Sequence, residues 1–210
     1  MTLKFAILGD SIAYGQGASA QADTVAARLS EDLTRHGLAN QVRMFAVPGS
    51  RTSNLAAQAD RALAWRPSLA LIIIGANDLT RLVPPQQAAA QLGDTVRALR
   101  AGSAEVVVAP APDLSVVPWV PVQMRATVRA GSRLLHDAQS RAVLAAGGHV
   151  ADIGMTSSAG FAHDPGLFSA DRFHPSSAGY AVIAAALAPT VRAVARTAHE
   201  HRVSSGQQSV

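Results

Sequence analysis

The chain has 210 residues, 49% of them hydrophobic and only 15% charged, with a mean hydropathy of +0.17. This excludes a disordered chain and favours one compact domain with ample core material. The formal net charge of +4 comes from arginines such as Arg28, Arg43, Arg61, Arg81 and Arg97, scattered with no dense run or interleaved aromatics, which argues against a nucleic-acid groove. Lys4 is the only lysine. The absence of cysteine excludes disulfides, thiolate metal sites and a Cys nucleophile.

The N-terminal apolar stretch, Leu3 to Leu8, reads as a first buried strand. It is too short for the core of a signal peptide, and no run of about 18 apolar residues suggests a membrane span. A cytoplasmic location is expected, an upstream leader aside. Helical patterning over Ala22 to His36 precedes a second strand, Val42 to Val47. A helix over Leu55 to Trp65 leads to Leu69 to Ile74, whose continuous apolar run fits a central parallel strand covered on both faces. A helix over Pro85 to Arg100, a strand from Glu105 to Ala109, a helix over Pro121 to Ala146, a weaker strand from His149 to Ile153 and a helix over Ser176 to Arg196 complete the alternation. This pattern predicts a flavodoxin-like, doubly wound α/β three-layer sandwich around a five-stranded parallel sheet. The domain is expected to span 1–196, with 197–210 as a flexible polar tail.

In such sheets ligands bind beyond the carboxyl ends of the strands, so the loops there carry the functional reading. After the first strand, Gly9-Asp10-Ser11 places a hydroxyl on a sharp turn. After the second, Gly49 in Val47-Pro48-Gly49-Ser50 can bring a backbone N–H close to a ligand. After the third, Asn77 in Gly75-Ala76-Asn77-Asp78 can donate from its amide. After the fifth, Asp171-Arg172-Phe173-His174-Pro175 sets an Asp three residues before a His, so the carboxylate can fix the imidazole tautomer and leave the other nitrogen as a base. Each block alone is compatible with an ordinary turn or helix cap. All four fall on one edge of the predicted sheet. Pro175 suits the first turn of the helix that follows.

Together, in this order and spread over nearly the whole chain, these blocks resemble the four motifs of the SGNH (GDSL-like) hydrolase family, with Ile12 where the family name has Leu. The resemblance implies a serine hydrolase acting on acyl esters through an acyl-enzyme on Ser11, and a chain this small, with no obvious insertion domain, is expected to have an open site for short acyl groups. Its triad would be Ser11, Asp171 and His174. Its oxyanion hole would be built from Ser11, Gly49 and Asn77, with no metal or organic cofactor required. Thioesterase, lysophospholipase and carbohydrate O-deacetylase activities share the scaffold. Asp10 and Asp78 are read as loop-holding residues, because only Asp171 has the right offset to a His.

The proline-rich stretch Pro110 to Pro121 can wall an acyl pocket with Val117 and Trp119, or simply cover the core; the loop from Gly154 to Ala170 is the other candidate wall. Gly15-Gln16-Gly17-Ala18-Ser19-Ala20 matches a dinucleotide fingerprint, and a non-catalytic nucleotide- or flavin-binding domain is the rival reading. The first Gly lies well past the strand, however, and the second strand lacks the expected acidic residue. His199-Glu200-His201 reads as a solvated charge cluster of the tail, not a metal site. Neither oligomeric state nor natural substrate is legible in the residues.

Overall fold

The computed structural model describes residues 2–207, with side chains for all of them except 154–156 and 202–207. Five strands, β1 (Leu3–Gly9), β2 (Asn40–Met44), β3 (Leu69–Ile73), β4 (Glu105–Ala109) and β5 (His149–Val150), form one sheet in the order β2-β1-β3-β4-β5. Every pairing is parallel. The helices are α1 (Ser11–Tyr14), α2 (Val25–Arg35), α3 (Leu55–Trp65), α4 (Ala76–Thr80), α5 (Pro85–Ala101), α6 (Arg125–Ala145), α7 (Gly154–His163) and α8 (Ser177–Gln207).

The period-two alternation of strand side chains divides the core into two layers. Phe5, Ile7, Leu71, Ile73 and Val107 face Leu29 and Leu33 of α2 and Leu187 and Val191 of α8. Ala6, Leu8, Ile72, Val106 and Val108 face Leu55 of α3, Leu92 and Leu99 of α5 and Val143 of α6. The central strands β3 and β4 are buried along their whole length, as their unbroken apolar runs predict. This is the doubly wound α/β sandwich expected from the sequence. Its order reverses between β1 and β3, so the crevice at their carboxyl ends is where such a sheet takes a ligand.

The structure departs from the sequence reading at the edges. β2 begins two residues early and ends at Met44, because the N–H groups of Phe45 and Ala46 both donate to Ile7 O, at 2.8 and 3.0 Å, and break the regular ladder. β5 is only two residues long. The stretch from Gly154, expected as a loop, is the helix α7 followed by a 3₁₀ turn at Pro165–Leu167. Pro175 lies just before α8 and not in its first turn; it bridges to Phe168.

The expected tail start at Thr197 lies inside α8, which continues to Gln207. Tertiary contacts carry the helix on past Arg196: Ala198 is buried, and His201 lies 3.5 Å from Glu105. Between Ser177 and His201, α8 is also long and apolar enough to cross a membrane by length and composition, although its apolar residues form no unbroken run of that length. Half of that window is buried, and Tyr180, Leu187, Val191 and Ala195 lie in the core.

Candidate active site

The first functional residue is placed by a turn that only glycine can make. Gly9 has φ +130°, and a Cβ there would lie 1.9 Å from the carbonyl oxygen of Ile73. Asp10 then caps α1 by accepting from the Ile12 N–H at 2.9 Å. Ser11 is thereby the first residue of α1, where its own N–H has no intrahelical acceptor. It is buried, 5% exposed.

The His174 turn approaches from the other side of the crevice. Nε2 of His174 lies 2.9 Å from Ser11 Oγ, and Nδ1 lies 2.6 Å from Asp171 Oδ2. The other carboxylate oxygen of Asp171 accepts from Ser169 Oγ (2.8 Å) and from the N–H groups of Phe173 and His174 (2.9 Å each). Burial acts to raise the Asp171 pKa, but these hydrogen bonds, that of His174 first, outweigh it and hold the carboxyl well below the usual range. The hydrogen bond to Nδ1 orients the ring so that Nε2 faces the hydroxyl.

The remaining loops are tied to one another by buried polar groups. Gly49, in the left-handed region at φ +80°, sits in a turn closed by Ser50 N–H donating to Val47 O at 3.1 Å. Asn77 Nδ2 donates to Ser50 O at 3.0 Å, which joins the loops after β2 and β3 and leaves one amide hydrogen for a ligand. Asp78, fully buried, accepts from Thr52 Oγ1 (2.8 Å) and from Thr52 N–H. Burial raises its pKa against those hydrogen bonds. Burial likewise pushes the Asp10 carboxyl up to about 7, against the Ile12 hydrogen bond and with help from the charge of Asp78. Both carboxylates thus serve the loops, as their positions in the sequence suggest.

An apolar pocket lies beside the neighbours of Ser11 and His174, lined among others by Ile12, Leu114, Val117, Phe161, Phe168 and Phe173. Val117 is one of its walls. Trp119 is not; it is half exposed and stacks on Phe173 at 5.6 Å, and Phe173 in turn meets the His174 ring edge-on at 5.0 Å. Phe161 and Phe168 come from α7 and the turn after it, so the stretch from Gly154 does wall the pocket, as a helix and turn where a loop was expected. His163 and Asp164 are engaged locally, with Ala159 O and Gly166 N–H. Among the described residues, no three His, Asp or Glu side chains gather so as to hold a metal ion.

Sequence reasoning missed three supports. Gln58, 2% exposed, holds both backbone groups of Gly9. Tyr180, fully buried, donates its hydroxyl to Gln16 O at 2.8 Å. Burial raises its pKa, as do the charges of Asp10 and Asp171. Gly17, φ +95°, packs so closely that a Cβ would lie 2.5 Å from Pro175 O and 3.0 Å from His174 Cβ. The glycines of the apparent dinucleotide fingerprint therefore make room for the Thr24 side chain (Gly15) and for the His174 turn (Gly17).

The fold and this constellation define an α/β sandwich with Ser11, His174 and Asp171 joined at the crevice between β1 and β3. The profile of the GDSL-like Lipase/Acylhydrolase family matches residues 7–182, and the chain belongs to that family. It is 36% identical over 182 residues to a GDSL-like esterase of Mycobacterium tuberculosis, covering 85% of this chain and 58% of that protein. The chain thus spans less than two thirds of that relative's length. Among solved structures, a lipase/acylhydrolase from Enterococcus faecalis superposes with a TM-score of 0.72 at 20% identity, covering 92% of this chain and 96% of that one. An acetyl-xylooligosaccharide esterase from Geobacillus superposes with a TM-score of 0.74 at 18% identity, covering 90% and 94%. These two likenesses concern the fold.

Proposed function

We propose that the chain is a serine esterase that hydrolyses acyl esters, of short acyl chain, through an acyl-enzyme on Ser11. The observation that carries this reading is the continuous hydrogen-bonded chain from Asp171 through both nitrogens of His174 to Ser11 Oγ. His174 Nε2 takes the hydroxyl proton as Ser11 Oγ attacks the acyl carbonyl. Asp171, held ionised by its hydrogen bonds, stabilises the imidazolium. The tetrahedral oxyanion is received by the N–H groups of Ser11 and Gly49 and the free amide hydrogen of Asn77. His174 then gives its proton to the leaving alkoxide, and the C–O ester bond breaks. Water, deprotonated by the same nitrogen, attacks the acyl-enzyme and releases the acid and Ser11. The acyl group occupies the apolar pocket beside Val117, and the leaving group passes the Trp119–Phe173 stack. These residues require neither metal nor organic cofactor for any step.

The test is a panel of p-nitrophenyl acyl esters of increasing chain length, with an acyl thioester, a lysophospholipid and an acetylated sugar added. Turnover concentrated on short p-nitrophenyl esters is expected. No hydrolysis of any member would contradict the reading, and a marked preference for one of the last three would reassign the leaving group to a thioesterase, lysophospholipase or O-deacetylase.

A further inference from the structure

Among the described residues, eight large apolar side chains are exposed, and their distribution is uneven. Tyr14, Val47, Leu82, Trp119, Val122 and Met124 all lie on segments that leave the carboxyl ends of β1 to β4, the sheet edge that carries Ser11; only Leu134 and Leu144 lie elsewhere, on α6. Apolar side chains gathered on one functional edge mark an interaction surface, where scattered ones would need no explanation. Leu82 is the most telling. It is 88% exposed and has φ +52°, the left-handed region that favours Gly or Asn. Neither burial nor backbone preference accounts for a leucine there.

The charges on the same segments have one sign toward solvent. Arg51, Arg81 and Arg125 are exposed. Of the carboxylates, Asp10 and Asp78 are buried, Asp23 pairs with Arg28 at 2.7 Å, and Asp113 pairs with Arg129 at 3.4 Å. Of the acidic residues that follow β5, Asp164 accepts from Gly166 N–H at 2.8 Å and Asp171 is bound to His174 Nδ1 at 2.6 Å. A face of exposed apolar tips and arginines complements an anionic lipid surface, where apolar side chains enter the headgroup region and cations meet phosphate. A second copy of the chain would bring like charges together across a two-fold contact, which disfavours it.

We infer that the β1–β4 rim of the cleft seats the protein on anionic lipid surfaces, with Leu82 and Val122 inserted and the Ser11 crevice facing the layer. The inference goes beyond ester hydrolysis and is tested without turnover. Ser11→Ala protein is sedimented with phosphatidylcholine vesicles, and with vesicles that also contain phosphatidylglycerol, at low and high salt. Binding to the anionic vesicles, weakened by salt, is expected. Leu82→Asn and Val122→Asp, each added to Ser11→Ala, should weaken it about tenfold. Leu82→Asn should keep or raise the melting temperature, since Asn suits that backbone. In the Ser11 background both substitutions should leave hydrolysis of a water-soluble ester unchanged. Failure to bind vesicles, or binding that neither substitution alters, would overturn the proposal and leave the hydrolase reading untouched. A concentration-dependent dimer dissolved by the same substitutions would also overturn it, by giving the face to a second copy.

Discussion

The side chain of Gln58 holds both backbone groups of Gly9: its Oε1 accepts from Gly9 N–H at 2.8 Å and its Nε2 donates to Gly9 O at 2.9 Å, an oxygen that also accepts from Val47 N–H at 3.1 Å. The same Nε2 reaches Ser50 Oγ at 3.1 Å, so one amide on α3 joins the loops that carry Ser11 and Gly49. Gln58→Leu leaves the buried Gly9 N–H unpaired, at about 1–3 kcal/mol, while Gly9 O keeps the Val47 N–H. A melting temperature lowered by several degrees or more is expected, with a fall in kcat; an unchanged melting curve would remove Gln58 from this role.

Gly17 stands against the His174 turn with no room for a Cβ. Gly17→Ala must therefore displace the imidazole or its support. With the triad misaligned, kcat should fall by about 10²-fold, a cost typical of small misplacements, and KM should change little. Steady-state kinetics on a p-nitrophenyl ester separates the two, and an unchanged kcat would mean that the turn yields without moving His174.

Asp171 fixes the tautomer of His174 through the 2.6 Å contact to Nδ1. Asp171→Asn can donate to Nδ1 and so favours the tautomer with the proton on Nε2, where it cannot accept from Ser11. A fall in kcat of about 10⁴-fold is expected, with circular dichroism unchanged. Loss smaller than about tenfold would mean that another group orients the ring.

Asp10 links the site to pH. Its carboxyl is raised to about 7 by burial, above the unfolded value. Its contribution to stability is therefore full below about pH 4 and is lost as pH rises through about 7, with an upper bound of roughly 4 kcal/mol. The wild type should lose stability between about pH 4 and about pH 7, and Asp10→Asn, which cannot ionise, should lose less over that window. Parallel denaturation midpoints for the two proteins would assign the pH dependence elsewhere.

What the residues revealed directly was local. Unbroken apolar runs mark β3 and β4, and the offset of Asp171 from His174 marks a turn that can pair them. The edges were harder to read, because half-exposed β2 and two-residue β5 carry little periodic signal. α7 lies in a stretch rich in Gly, Ser and Ala, where helix and loop compositions overlap, and α8 continues through polar residues that resemble a tail. Gln58, Gly17 and Tyr180 lie far along the chain from what they support, and only the folded chain brings them to it. Gly17 was visible, but as part of a fingerprint for another ligand.

The central claim is that Ser11 is an activated nucleophile, and covalent labelling tests it most directly. The protein would be treated with a fluorophosphonate ester, and the adduct located by peptide mass spectrometry. Stoichiometric phosphonylation of Ser11, abolished in Ser11→Ala and strongly slowed in a His174→Ala variant, is the result predicted. A reactive adduct on a different serine, or no adduct in folded protein, would contradict it.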